Sequence, residues 1–275
     1  MKLPQHNQSP THTSNMHIYY MSDLHLEWRD YDLSYFESVY PRPTLILAGD
    51  IYTIRDLPGY YTFIERACEL FKNVIHVCGN HEFYGTSINT GLSYIEEHKR
   101  WGFLPDNYTV LENSKKTLRG GITVIGATLW TKIPHTKEGL IRGHIADYSR
   151  IWSDQDVGFV TPEEISQRHA LSVNRLNQLV YKEKQKGKKT IVVTHHLPSF
   201  RSIVDKYRDS VLNNAFATET SLFKHRPDYI IHGHSHSSVD YKTRFTQVLS
   251  NPRGYKLRDG SEENTDFNPL AMIEV

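Results

Sequence analysis

Five short polar clusters carry most of the side chains able to do chemistry. They are Asp23-Leu24-His25, Gly49-Asp50, Gly79-Asn80-His81-Glu82, Thr194-His195-His196 and Gly233-His234-Ser235-His236. Imidazoles with carboxylates and one carboxamide suit Mn, Fe, Zn or Ni better than Ca or Mg. The candidate ligands number more than four and need only one shared carboxylate, so two adjacent ions are more economical than one. A pair of ions roughly 3.5–4 Å apart is a recurring device for hydrolysing phosphate esters. No single cluster is evidence in a chain with 16 histidines; their co-occurrence is. His76 sits among apolar neighbours and reads as a hydrogen-bonded core or edge residue, as do His17, His98, His169 and His225.

Each cluster directly follows a short apolar run: 18–21, 45–48, 74–78, 191–193 and 229–231. Runs of this length and β-branched content predict buried strands. Polar groups placed at their ends gather at one sheet edge, where open α/β folds bind ligands. Between the second and third runs, residues 60–72 show one apolar helical face. A second helix is expected over 86–100. Residues 108–111 and 122–125 flank Gly120-Gly121 and read as consecutive strands with a tight connection. Residues 131–158 show no clean period and read as an insert over the site. Thr161, Pro162 and Glu164 make a capping box for a helix running to Lys186. The lysines at its end offset the helix dipole rather than bind phosphate. Residues 199–224 read as a loop followed by a helix, and 271–275 as a last strand.

With 275 residues the chain can bury a sizeable core in one domain, expected over 16–275. Residues 1–15 read as a disordered polar tail without an apolar signal segment, and Met16 is a candidate internal start. The near balance of charge, net +1, advertises no nucleic-acid or membrane footprint. Two cysteines, Cys68 and Cys78, outside any spaced motif, suit a reducing cytoplasm.

The five clusters, in this order, resemble those of the calcineurin-like metallophosphoesterase superfamily, as a stand-alone bacterial or phage-type member. The resemblance spans 23–236 and implies a four-layer α/β/β/α sandwich of two mixed sheets, with the metal site at the C-terminal ends of strands. It implies two divalent ions, Mn first among the four metals. Asp23, His25 and His236 would hold one, Asn80, His195 and His234 the other, with Asp50 bridging. It further implies in-line attack by a metal-bridging hydroxide, with His81 as general acid. His196 and Glu82 are expected behind the ligands. Arg253, with Asn80, His81 and His196, is a candidate substrate contact.

Two departures narrow the resemblance. The continuation Ile51-Tyr52-Thr53 departs from the protein Ser/Thr phosphatases, and Thr53 stands where purple acid phosphatases place a tyrosine ligand. The expected function is hydrolysis of a small or nucleotide-type phosphodiester or phosphomonoester. A metal-dependent nuclease and a non-catalytic binding module are the alternatives.

Overall fold

Strand β2 (Thr44–Leu47) is buried on both faces, and its alternate side chains enter two different cores. Leu45 and Leu47 join one apolar cluster, Ile46 the other. A strand that is apolar throughout and covered on both sides is the signature of a central, mostly parallel sheet. The structure, a computed structural model, describes residues 16–218 and 223–275; the tail expected over 1–15 lies outside them.

In the first sheet β1 (His17–Met21), β2, β3 (Asn73–His76) and β4 (Tyr108–Val110) run parallel, and the C-terminal Met272–Glu274 joins β1 antiparallel. The second sheet is built on β5 (Ser114–Thr117), β6 (Ile122–Ala127), β7 (Lys189–Thr194), β8 (Tyr229–His232), β9 (Val239–Lys242) and β10 (Gln247–Ser250), in the order β5-β6-β7-β8-β10-β9. Its four inner strands are parallel and its two edges antiparallel. Both sheets are mixed, as expected.

Three apolar layers hold the stack. Between the sheets lie Ile18, Ile46 and Ile75 from one side and Val124, Ile191, Val193 and Ile231 from the other. Helices α1 (Leu57–Leu70) and α2 (Ile88–Arg100) cover the outer face of the first sheet, with Phe63, Ile64 and Ala67 in the same cluster as Leu45 and Leu47. Further along the chain come two short helices, α3 (Glu138–His144) and α4 (Asp147–Arg150), and the long α5 (Pro162–Gln185). Leu176, Leu179 and Val180 of α5 pack on Ile125, Val192 and Ile230, closing the fourth layer.

Four local expectations need correction. The partner of β6 in the hairpin is β5, with pairs such as Lys115↔Ile125. Its sequence Ser-Lys-Lys-Thr has no apolar face, so hydropathy alone conceals it. Residues 131–158 are not irregular throughout, since they contain α3 and α4. Over 199–218 the chain makes three short 3-10 turns and no α-helix. Thr161 Oγ1 does accept from the Glu164 amide at 3.2 Å. Glu164 itself turns away from the cap to accept from Ser153 and the Asp154 amide, tethering the preceding segment.

Candidate metal centre

The loops after β1, β2, β3, β7 and β8 meet at one end of the two sheets, and the site forms where they do. Gly49 fits there as only glycine can. Its φ is +90°, and a Cβ would stand 2.2 Å from His195 Nδ1. At Gly79 a Cβ would stand 2.1 Å from Asp50 Oδ1. Buried Glu82 ties the loops together. Its carboxylate accepts from the amides of Gly79 (2.6 Å), Asp50 (2.9 Å) and Ile51 (2.7 Å). Behind it, His76 Nε2 approaches Glu82 at 3.3 Å, while its Nδ1 meets the Tyr108 hydroxyl at 2.7 Å. His76 thus supports the site from the core and is not among the ligands.

Backbone strain concentrates here. Nine described non-glycine residues have positive φ, and five are candidate ligands: Asp23, His25, Asp50, His234 and His236. Such conformations cost about 1–3 kcal/mol each and persist only where the surroundings over-determine them. The backbone links are short. The His25 amide donates to Asp50 O (3.1 Å), and the His234 amide lies 3.0 and 3.1 Å from the two carboxylate oxygens of Asp23.

Asp23, His25 and His236 can each place one ligand atom within 4.8 Å of the others, and Asp50, His195 and His234 can do the same. Asp50 reaches both groups, with Oδ2 3.3 Å from His195 Nε2 and 4.0 Å from His25 Nε2. Asn80 Oδ1 lies 3.1 Å from His195 Nε2. All seven expected ligands therefore converge. Their outward nitrogens are already used. His195 Nδ1 donates to Ala48 O (2.9 Å), His236 Nδ1 to Glu263 (2.6 Å) and His25 Nδ1 to Glu27 (3.3 Å). This leaves the Nε2 atoms facing inward. His25 and His236 Nε2 are 3.0 Å apart, and Asp23 Oδ1 is 3.3 Å from His236 Nε2. Lone pairs converging with carboxylates, with the His25, His195 and His236 imidazoles fixed from behind, make a donor set that fits divalent cations.

Electrostatics agree with the geometry. Burial opposes ionisation of Asp50, but the neighbouring His195 and His81 hold its carboxyl well below the usual range. Burial likewise disfavours the His236 and His195 imidazoliums. Hydrogen bonds that His236 donates to Asp23 and Glu263 push it up to about 10, and Asp50 pushes His195 up to about 9. Protons held on such nitrogens are what a metal displaces on binding. His234 goes the other way, since burial and the charges of His196 and His195 keep it neutral.

His81 stands beside the centre, with Nδ1 2.9 Å from Glu27 and Nε2 3.3 Å from the Tyr255 hydroxyl. Burial lowers its pKa, but Asp50 and Glu27 outweigh burial and raise it. Two expected contacts lie elsewhere. His196 is buried behind His234 against Trp130, with burial and His195 pushing it down to about 3. Arg253 lies over the Tyr31 ring, 5.0 Å from its centre, and its amide donates to Ser22 O. The lysines ending α5 pair with Glu183 and Asp228 near the start of β7, whose other end delivers His195.

Residue types alone did not single out Glu27, Tyr84, Asp147, Tyr255 or Glu263. Asp147 Oδ1 accepts from Asn80 Nδ2 (2.9 Å) and the Tyr84 hydroxyl (2.8 Å), which turns the Asn80 carbonyl toward His195. Only Glu27 had a local signal, two residues after His25. Asp147 brings the segment 131–158 to the site, where residues 144–147 form one wall of a cleft of about 420 Å³.

Comparison with known proteins bears on what this centre is. A family model described as calcineurin-like phosphoesterase matches residues 16–238. An uncharacterized protein of Acanthamoeba polyphaga mimivirus is 26% identical over 276 residues, covering 93% of this chain and 95% of that one. The phosphopantetheinyl hydrolase of Mycobacterium tuberculosis shares the fold at TM-score 0.58 and 17% identity, over 88% of this chain and 90% of that one. A dimetal phosphatase from Danio rerio aligns at TM-score 0.49 and 12% identity, over 86% of each chain.

Proposed function

The chain belongs to the calcineurin-like phosphoesterase family, and we propose that it hydrolyses a phosphodiester or phosphomonoester at a dinuclear metal centre. The observation that carries this reading is the convergence of His25, His195 and His236 Nε2, each imidazole locked from behind by Glu27, Ala48 O or Glu263. Asp23, His25 and His236 would hold one ion, Asn80, His195 and His234 the other, and Asp50 both. Two divalent ions bound there would neutralise phosphoryl oxygens and make water nucleophilic near neutral pH.

The chain's own residues do the rest. Asp147 and Tyr84 engage the Asn80 amide nitrogen, so its oxygen faces the centre. Glu27 accepts from His81 Nδ1 and thereby aims Nε2–H at the cleft. From there His81 can protonate a departing alkoxide, help worth about 10²–10⁴-fold. Burial, then Asp50 and Asp23, push the Tyr255 phenol up, so it stays a neutral hydroxyl whose oxygen can accept from His81 Nε2–H. No helix among the described residues is long and apolar enough to cross a membrane.

The test is hydrolysis of bis-p-nitrophenyl phosphate by protein stripped of metal and then given Mn²⁺, Zn²⁺, Fe²⁺ or Ni²⁺. Turnover is expected only with metal. Absence of turnover with every one of these ions would contradict the proposal.

A further inference from the structure

The centre opens onto two regions of opposite character. The wall formed by residues 144–147 and 203–216 presents Ile145, Ile203, Val204, Leu212 and Phe216, and among the described residues no lysine or arginine lines that cleft; the nearby Lys206 ammonium lies over the Tyr207 ring. Phe216 lies against the ligand His234, ring centres 4.8 Å apart. The carboxylates on this side, Asp50, Asp147 and Glu263, are all hydrogen-bonded to other site residues.

Across His81 lies a wider groove of about 1050 Å³, where Arg29, Arg150, Lys256 and Arg258 surround Trp28 and Tyr255. Arg29 is committed to Glu262 at 2.6 Å. The other three are exposed and in no ion pair among the described residues. Trp28 is 58% exposed although it is stacked on His25, 5.4 Å between ring centres at 23°. The indole also meets the His81 and Tyr255 rings, at 5.6 and 4.9 Å, yet more than half of Trp28 stays open to solvent. Arg150 lies over the Tyr84 ring, 5.2 Å from its centre, while Lys256 and Arg258 are in no ion pair among the described residues, and cations around an exposed indole suit an aromatic anion.

Resting on the phosphoesterase reading, we propose that the substrate is an asymmetric phosphodiester. One arm is a nucleotide, its base on Trp28 and a further phosphate on Arg150, Lys256 and Arg258. The other arm is a neutral apolar group against Phe216 and Val204. A long nucleic acid fits worse, because its next phosphate on the far side would meet an apolar wall carrying Asp147 and Glu263.

The experiment compares two probes on one enzyme: thymidine 5′-(p-nitrophenyl phosphate), and the same ester carrying a 3′-phosphate. Their ratio of kcat/KM cancels any general loss of activity. Exposed ion pairs imply a preference of about fivefold or more for the 3′-phosphorylated ester. That preference is expected to fall to near unity in the double variant Lys256→Glu/Arg258→Glu. In Trp28→Ala the preference for the thymidine ester over methyl p-nitrophenyl phosphate should drop about tenfold. A wild-type ratio near one, or a ratio that the double variant leaves unchanged, overturns the proposal. Turnover of bis-p-nitrophenyl phosphate without turnover of either thymidine ester removes the nucleotide arm alone. No turnover of any ester removes the phosphoesterase reading, and this arm with it.

Discussion

The strand bodies and the strand ends of this protein are built on opposite terms. Along the bodies, Ile18, Ile46, Ile75, Val124 and Val193 interdigitate between two sheets with regular backbone. A few residues further on, Asp23, His25, Asp50, His234 and His236 adopt positive φ, and Asp23 and Asp50 are fully buried carboxylates. The bodies supply stability; the ends draw on it to hold charge and strain in one arrangement. Substitutions should therefore divide into those that cost stability and those that cost activity.

The largest effect is expected at the ends. Asp50→Asn should lower hydrolysis by about 10³-fold or more, the several kcal/mol that shared metal coordination supplies to the transition state. In the bodies, Ile75→Ala should cost about 2–5 kcal/mol by denaturant unfolding, with kcat per folded molecule unchanged. Equal losses of activity in both variants would erase the division.

Glu82→Gln sharpens the contrast, because Glu82 belongs to both regions. Replacing one carboxylate oxygen by an NH₂ confronts amides it now satisfies, at about 1–3 kcal/mol per orphaned donor. Stability and activity should fall together there.

How far the site was legible follows the same division. The candidate ligands could be picked out because each stands directly after an apolar run, so strand recognition also located the edge. Glu27, Asp147, Tyr84 and Glu263 matter through what they hydrogen-bond to, and those partners are set by tertiary structure. Asp147 lies 67 positions from Asn80. β5 escaped notice because it is polar and exposed on alternate residues, and 199–218 because short 3-10 turns leave no period to read. The four layers were legible from the resemblance, whereas the positions of the walls around the cleft were not.

Smaller effects test the supports. Glu27→Gln should slow esters with poor, alkyl leaving groups by about 10–100-fold. It should barely affect p-nitrophenyl esters, whose leaving group needs no proton. A uniform loss across leaving groups would assign Glu27 to metal retention instead.

At the opposite end of the sheets, buried Glu183 is surrounded by Lys115, Lys186 and Lys188. Burial opposes its ionisation, but these lysines hold its carboxyl far below the ordinary value of 4.5. Because the folded pKa is depressed, the stabilisation is full above 4.5 and is lost progressively as pH falls below it. The gap in thermal midpoint between wild type and Glu183→Gln should accordingly be open at about pH 6 and narrow by about pH 3. Activity should stay with the wild type throughout.

The proposed dinuclear centre is tested most directly by calorimetric titration of Mn²⁺, then Zn²⁺, into stripped protein, with Asp50→Asn alongside. Two ions per chain are expected in the wild type, and in Asp50→Asn the second should be lost or weakened by at least about tenfold. One ion or none in the wild type, or two bound undiminished in Asp50→Asn, would contradict a centre shared through Asp50.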